Sequence, residues 1–173
     1  LPVKSVKQLI AYAKANPGRL TFASSGTGTV YHLTGEMFKM MAGVDIVHVP
    51  YKGGAQAFPD LISGQVSLMF DLTTSVMPHV KSGKLRALAV TSAKRNPTVP
   101  ELPTMIEAGI PGFESEVWIG MFAPAATPRV IVARLNLEMN KVLARDDLHD
   151  AFAHHGTDPV GGKSEQFALQ IRT

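Results

Sequence analysis

Short β-branched segments alternate with amphipathic segments roughly every 20 residues in the first half of the chain, and this alternation most constrains the fold. Helices are predicted from the spacing of apolar residues at 5–16, 29–41, 55–62 and 75–81. Strands are predicted at 20–24, 44–51, 66–72 and 85–92. Strands that alternate with helices in this way build an α/β domain with a mostly parallel sheet covered by helices.

The second half of the chain differs in composition and in the pattern of its predicted elements. Residues 96–112 are rich in proline and glycine and predict a long connection, which a strand-like run at 114–123 follows. Thr127-Pro128 is typical of a helix start, and Ile131, Leu135 and Met139 then recur on one face. Two shorter helices are predicted to begin near residue 146 and at Ser164.

Composition excludes several function classes. Of the 173 residues, 45% are hydrophobic and 18% are charged, which is typical of a globular chain. The formal net charge of +3 is compatible with small anionic ligands but too weak to indicate nucleic-acid binding. Because the chain has no cysteine, it has neither disulfides nor thiolate metal sites nor a cysteine nucleophile. We expect no cofactor.

One histidine cluster resembles a metal site. His149, Asp150, His154 and His155 lie close together in sequence. Histidines in the last turn of a helix interact favourably with the helix dipole, and this interpretation is preferred to metal binding. We therefore predict no metal site.

A polar, glycine-rich loop follows the first predicted strand, with the sequence SSGTGT at residues 24–29. It does not fit a dinucleotide fingerprint, because Tyr31 stands where the third glycine would be and the lysine of a phosphate loop is absent. Ser24 or Ser25 with His32 or His48 would give a small hydrolase, but the Gly-x-Ser-x-Gly spacing of a nucleophile elbow is missing.

Two further interpretations of this loop stay open. Backbone amides at a helix start bind anions, glycines allow close approach, and the hydroxyls of Ser25, Thr27 and Thr29 add donors. Alternatively, the loop is a plain turn in which Thr27 or Thr29 caps the helix.

Polar residues also follow the second and third predicted strands. Tyr51 and Lys52 come after one, and Asp71 ends the other. Because ligands of parallel sheets bind beyond the carboxyl ends of the strands, these residues and the loop are candidates for one site. Lys52 would attract an anion or simply be solvated. Asp71 would accept a hydrogen bond from the ligand or cap the next helix, and within a cleft it would select ligands that carry a donor.

Several ordered motifs carry a family resemblance. They are 13–18 (AKANPG), 25–29 (SGTGT) with His32-Leu33, 48–53 (HVPYKG), 82–90 (SGKLRALAV), 103–104 with 107–109, and 118–124. In these motifs the chain resembles the extracytoplasmic substrate-binding receptors of tripartite tricarboxylate transporters, the Bug receptors. The resemblance covers essentially the whole chain in collinear order.

The resemblance implies a periplasmic two-lobed receptor that closes on a small carboxylate, works with membrane transporter subunits and performs no catalysis. It implies that residues 1–120 form the second lobe, like one lobe of a periplasmic binding protein. Residues 121–173 would then be a crossover strand and helices of the first lobe. The ligand-binding residues it implies are Ser25, Gly26, Thr27, Gly28, Thr29 and His32, with Tyr51, Lys52 and Asp71 at the neighbouring strand ends.

The family's N-terminal loop has no counterpart in this sequence, which is expected to lack the receptor's N-terminal part and extreme C-terminus. The 128–143 helix would therefore expose its apolar stripe, and either the missing segment or another copy would cover it. A further alternative is a protein-interaction module that uses this stripe and has no small ligand.

Overall fold

The computed structural model of the chain describes residues 1–154 and 159–171. It divides into two compact units, Leu1–Val117 and Trp118–Thr173. The assignment of residues 1–120 and 121–173 to different lobes stays a prediction. Among the described residues, no helix is both long enough and apolar enough to cross a membrane.

The first unit alternates helices and strands along the chain. Its elements are α1 (Val6–Ala15), β1 (Leu20–Ser24), α2 (Val30–Ala42), β2 (Ile46–Pro50), α3 (Gly54–Ser63), β3 (Leu68–Met69) and α4 (Thr73–Lys81). Local chemistry sets several of their ends. The side chain of Ser5 accepts the Gln8 N–H at the start of α1, and Gly43 ends α2 in the left-handed conformation.

The three strands form a sheet in the order β2-β1-β3. All of them run parallel, as the alternation of strands and helices predicts. The central strand β1 pairs with β2 from Leu20 opposite Ile46 to Ser24 opposite Pro50. Since every strand runs in the same direction, all three carboxyl ends lie at one edge of the sheet. Each strand end there is followed, after three to five residues, by the start of a helix.

Apolar side chains pack on both faces of the sheet. Phe22 belongs to a cluster with α1 and α2, and its neighbour Ala23 belongs to a second cluster with Ala57 of α3. This follows from the two-residue period of a strand, which sends successive side chains to opposite faces. Burial on both faces explains why β1 has no charged residue and why its apolar residues Leu20, Phe22 and Ala23 are all buried.

Two of the predicted strands are wrong. In residues 85–92, the described structure forms only an isolated bridge, in which the Val90 N–H donates to the Pro103 carbonyl at 2.9 Å. Residues 114–123 form no strand either, and Ile119 is 93% exposed. Both runs have the composition of strands. However, a strand also needs a neighbouring backbone that pairs with it along its length. In the described structure these segments make only isolated backbone bonds, such as that from the Ser115 N–H to the Thr91 carbonyl.

In its described residues, the second unit has three helices, α5 (Arg129–Leu143), α6 (Asp146–His154) and α7 (Ser164–Gln170). The N-cap of α5 is Pro128, one residue after Thr127, and α7 begins at Ser164 with Lys163 as its N-cap. Within the stripe of α5, Ile131 and Leu135 are about half exposed. No described residue of this unit is buried.

Candidate functional site

The candidate site lies at the carboxyl edge of the sheet, where three strand-to-helix junctions meet. These junctions are residues 25–29 between β1 and α2, 51–53 between β2 and α3, and 70–72 between β3 and α4. Because all three helices start at this edge, their positive ends lie beside one another. The junction after the central strand is the polar, glycine-rich loop, which is called the 25–29 loop below.

Hydrogen bonds inside the 25–29 loop fix its shape. The Gly26 carbonyl accepts from the Thr29 hydroxyl at 2.7 Å and from the Thr29 N–H at 3.3 Å. The Gly28 N–H donates to Nδ1 of His32 at 3.1 Å. Thr29 is the N-cap of α2, and its hydroxyl accepts the His32 N–H. Gly26 and Gly28 have φ angles of +139° and +82°, which side chains other than glycine rarely adopt.

These internal bonds leave specific donors free. In the described part of the chain, the N–H groups of Ser25 and Thr27 have no hydrogen-bond acceptor, and neither do those of Val30 and Tyr31 in the first turn of α2. Thr27 and Gly28 are exposed. Uncapped amides at a helix start bind anions. The loop and the first turn of α2 therefore offer four main-chain donors and the Ser25 and Thr27 hydroxyls.

Below the loop, a histidine pair and a buried serine support it. Ser24 Oγ lies 2.7 Å from Nε2 of His48 and accepts the Gly26 N–H at 3.2 Å. The rings of His32 and His48 lie 4.1 Å apart, and Phe22 stacks on His48. The loop thus rests on a hydrogen-bonded Ser24–His48 pair and on an aromatic stack.

The Ser24–His48 contact is also the pair that a serine hydrolase would need. Ser24, however, has no exposed surface, and its hydroxyl is already bonded to the Gly26 backbone. His32 uses Nδ1 for Gly28 and points Nε2 toward Glu36 at 3.9 Å. The geometry therefore favours a supporting role for Ser24, His48 and His32, since a nucleophile must be reachable by its substrate.

Burial lowers the pKa of His48 below 6.5, and the nearby His32 lowers it further. The unfolded chain then binds a proton at a higher pH than the folded chain does. The resulting stability is complete above pH 6.5 and is lost as the pH falls through the folded-state pKa.

We expect the midpoint of urea unfolding to fall between about pH 7.5 and pH 5, and to fall less in His48→Gln, which keeps a polar partner for Ser24. The exposed His149 gives the control His149→Gln, which should keep the wild-type dependence. An identical pH dependence in His48→Gln and wild type would contradict the assignment.

The other two helices at this edge start without a capping side chain. Gly53, with φ +138°, is the N-cap of α3, and Leu72 is the N-cap of α4. Glycine has no side chain and the leucine side chain is apolar, so neither N-cap can accept a hydrogen bond from the first-turn amides. Both helix ends therefore add positive potential that is available to a ligand.

Asp71 lies between these helix starts. One carboxylate oxygen accepts the Leu72 N–H at 2.7 Å, and the other lies so close to Gly54 that a Cβ added there would be 2.5 Å from it. Burial raises the pKa of Asp71. The pKa of Tyr31 is raised by burial and, to a smaller extent, by the charge of Asp71. Tyr31 was not among the sequence candidates.

Tyr51 and Lys52 lie at the same edge but have different surroundings. The Tyr51 hydroxyl donates to Asp60 of α3 at 2.6 Å, and this bond raises the pKa of Tyr51. Its N–H donates to the Ser24 carbonyl at 3.0 Å. Tyr51 thus joins the strand end to α3. Lys52 is exposed. Ligand contact by either residue stays a prediction.

No group of acidic or histidine side chains that could hold a metal ion is found among the described residues. His149 and Asp150 are exposed on α6. The His154 side chain and His155, which belong to the same cluster in the sequence, lie outside the residues that the structure describes.

Comparisons with known sequences identify relatives along the whole chain. Residues 1–172 match the family described as "Tripartite tricarboxylate transporter family receptor". A protein of the tcbD-tcbE intergenic region of Pseudomonas sp. strain P51 is 44% identical over 95% of this chain. BugT of Bordetella pertussis is 37% identical over 96% of it. The matches cover 49% and 51% of those proteins, so the chain spans about half the length of these relatives.

Solved structures agree with the fold. Rpa4515 of R. palustris, solved with adipate, has a TM-score of 0.91 and 40% identity. The periplasmic binding protein BugD has a TM-score of 0.85 and 39% identity. MatC of Rhodopseudomonas palustris, solved with bound malate, has a TM-score of 0.85 and 31% identity. Each match covers 99% of this chain and 57–59% of the other protein. The predicted fold class, an α/β lobe like that of a periplasmic binding protein, is confirmed.

Proposed function

The chain belongs to the tripartite tricarboxylate transporter receptor family, and from this premise we propose that it provides one wall of an extracytoplasmic site that captures a small carboxylate. One observation carries the proposal. Three helix starts meet at the carboxyl edge of a parallel sheet, around a loop in which the N–H groups of Ser25 and Thr27 have no acceptor among the described residues. This arrangement complements a carboxylate in charge and in hydrogen bonding.

Each loop residue has a defined role in the proposed binding of the carboxylate. Ser25 and Thr27 donate to the carboxylate through their main-chain N–H groups and hydroxyls. Gly26 and Gly28 let the backbone approach closely, because their positive φ angles turn the amides without a Cβ in the way. His32 and Thr29 hold the loop in place. Tyr51 positions the second strand end, and exposed Lys52 attracts the anion over a distance.

Two relatives support a carboxylate as the ligand. Rpa4515 was solved with adipate and MatC with malate, and both are small dicarboxylates. The rest of such a receptor is about as long as this chain. We expect this further length, or a second copy, to cover the apolar stripe of α5 and to complete the cleft. The partners are then the membrane subunits of a tripartite transporter, and the location is the periplasm.

A thermal-shift screen of the full-length protein tests the proposal. The panel contains dicarboxylates, tricarboxylates, aromatic acids and acidic amino acids. At a concentration of 100 times its Kd, a true ligand adds about 2.7 kcal/mol of stability, which raises Tm by several degrees. The diamide of each effective acid is the matched control, and we expect it to give no shift because it lacks the negative charge.

Three results would redirect the assignment. If no acid raises Tm, the receptor function fails. If no acid binds but a protein partner binds the face formed by Ile131 and Leu135, the interaction-module alternative is favoured. If an ester substrate is turned over and Ser25→Ala abolishes that turnover, the hydrolase alternative is favoured.

A further inference from the structure

We propose that Asp71 selects the ligand: the site takes a carboxylate whose carbon chain also carries a hydrogen-bond donor, an amino or hydroxyl group, and discriminates against unsubstituted diacids. This inference rests on the proposed function and adds the substrate class. It starts from an acidic side chain placed where an anion is expected to bind.

Asp71 lies at two of the three helix starts. It directly precedes the N-cap of α4, and its second carboxylate oxygen lies against Gly54, the first residue of α3. Both helix starts lie at the carboxyl edge of the sheet, where the 25–29 loop follows the central strand. A ligand held there by the 25–29 loop therefore comes within the field of Asp71.

Asp71 lacks a charged partner. Among the described residues no lysine, arginine or histidine pairs with it, and its one hydrogen bond comes from the Leu72 N–H. A carboxylate has about four acceptor positions, so most of its acceptor capacity is unused. Burial without a cation raises its pKa. A donor on the ligand would satisfy this carboxylate, whereas a second ligand carboxylate would repel it.

The neighbouring residues keep Asp71 in this position. Gly54 leaves room for the carboxylate, because any side chain there would meet its second oxygen. The charge of Asp71 also raises the pKa of Tyr31, although burial is the larger cause. The Asp71 carboxylate, at the starts of α3 and α4, is the polar subsite beside the 25–29 loop. The loop binds the ligand carboxylate, and this subsite recognises the amino or hydroxyl substituent beside it.

The test uses two series of acids that differ only in one substituent. The four-carbon series is succinate, malate and aspartate, and the six-carbon series is adipate, 2-hydroxyadipate and 2-aminoadipate. Calorimetric titration of the full-length protein should show that the substituted acids of one series bind at least about tenfold tighter than its unsubstituted diacid. In Asp71→Asn, the preference for the amino acid should fall at least about tenfold, and the diacid should bind more tightly.

Asp45→Asn is the matched control. Asp45 is exposed and precedes β2, so the variant removes the same charge at the opposite edge of the sheet. We expect its ratios of affinities to equal those of wild type. A role of Asp71 that is only structural would weaken all ligands alike and leave the ratios unchanged, and this result would overturn the inference. It would also be overturned if wild type bound the unsubstituted diacid as tightly as the substituted acids. If no acid bound wild type, the proposed function itself would fail.

Discussion

Replacing Gly28 by valine is expected to weaken carboxylate binding about 100-fold, which corresponds to about 2.7 kcal/mol. Gly28 has φ +82°, and its N–H donates to His32. Valine strains this conformation by about 1–3 kcal/mol, so the loop relaxes and turns the neighbouring Ser25 and Thr27 donors away from the ligand. Calorimetric titration with the acid that gives the largest thermal shift measures the effect.

The chain offers a close control for this variant. Gly64 also has φ +82°, and a Cβ added to either glycine would have no neighbour within 4 Å. Gly64 ends α3, at the edge of the sheet opposite the site. Gly64→Val should therefore carry similar strain but bind the acid like wild type. If Gly28→Val also bound it like wild type, the 25–29 loop would not be part of the site.

The largest loss of stability is expected from Gly35→Ala in the middle of α2. An added Cβ would lie 2.1 Å from the ring of Phe22, which has no exposed surface. Alanine gains about 1 kcal/mol of helix propensity, but the overlap forces α2 away from the sheet. Overpacking of a core typically costs about 1–3 kcal/mol, and an overlap at 2.1 Å belongs at the upper end of this range. After the gain in helix propensity, we expect a net loss of about 2 kcal/mol in urea unfolding.

A second substitution separates the overlap from other effects. Phe22→Leu removes Cε2 and Cζ, two of the three ring atoms that the new methyl group would meet, and Cε2 is the nearest of them. We expect the double variant to be at least about 1 kcal/mol more stable than the sum of the two single effects predicts. Additive effects would mean that Gly35 matters for another reason. Met40→Ala, on an exposed position of the same helix, should change stability by less than about 0.5 kcal/mol.

The elements of the first unit were predictable because their signals are local. Ser5 and Gly43 mark helix ends through their own hydrogen bonding and conformation, and the spacing of apolar residues marks the helix faces. The runs at 85–92 and 114–123 carry the same local signals as true strands. Whether such a run becomes a strand depends on a partner that is distant in sequence, and its own residues do not encode that partner.

The candidate site was likewise predictable in part, where local signals determine it, and unpredictable where it depends on burial. The alternation of strands and helices placed the 25–29 loop and Asp71 at one edge of the sheet, because parallel strands share a direction. The supporting role of Ser24 and His48 could not be predicted, since a serine and a histidine look alike in sequence whether they are buried or exposed. Tyr31 was missed because its only mark in the sequence is to stand where a dinucleotide fingerprint would have glycine.

The hydrogen bonds inside the 25–29 loop have a consequence for the thermodynamics of ligand binding. Since Ser24, Thr29 and His32 already hold the loop, the chain gives up its conformational entropy there when it folds. A preorganised loop need not be ordered again by each ligand molecule, so more of the interaction energy is available as affinity. Under the proposed function, this arrangement lets a few main-chain donors bind a carboxylate tightly.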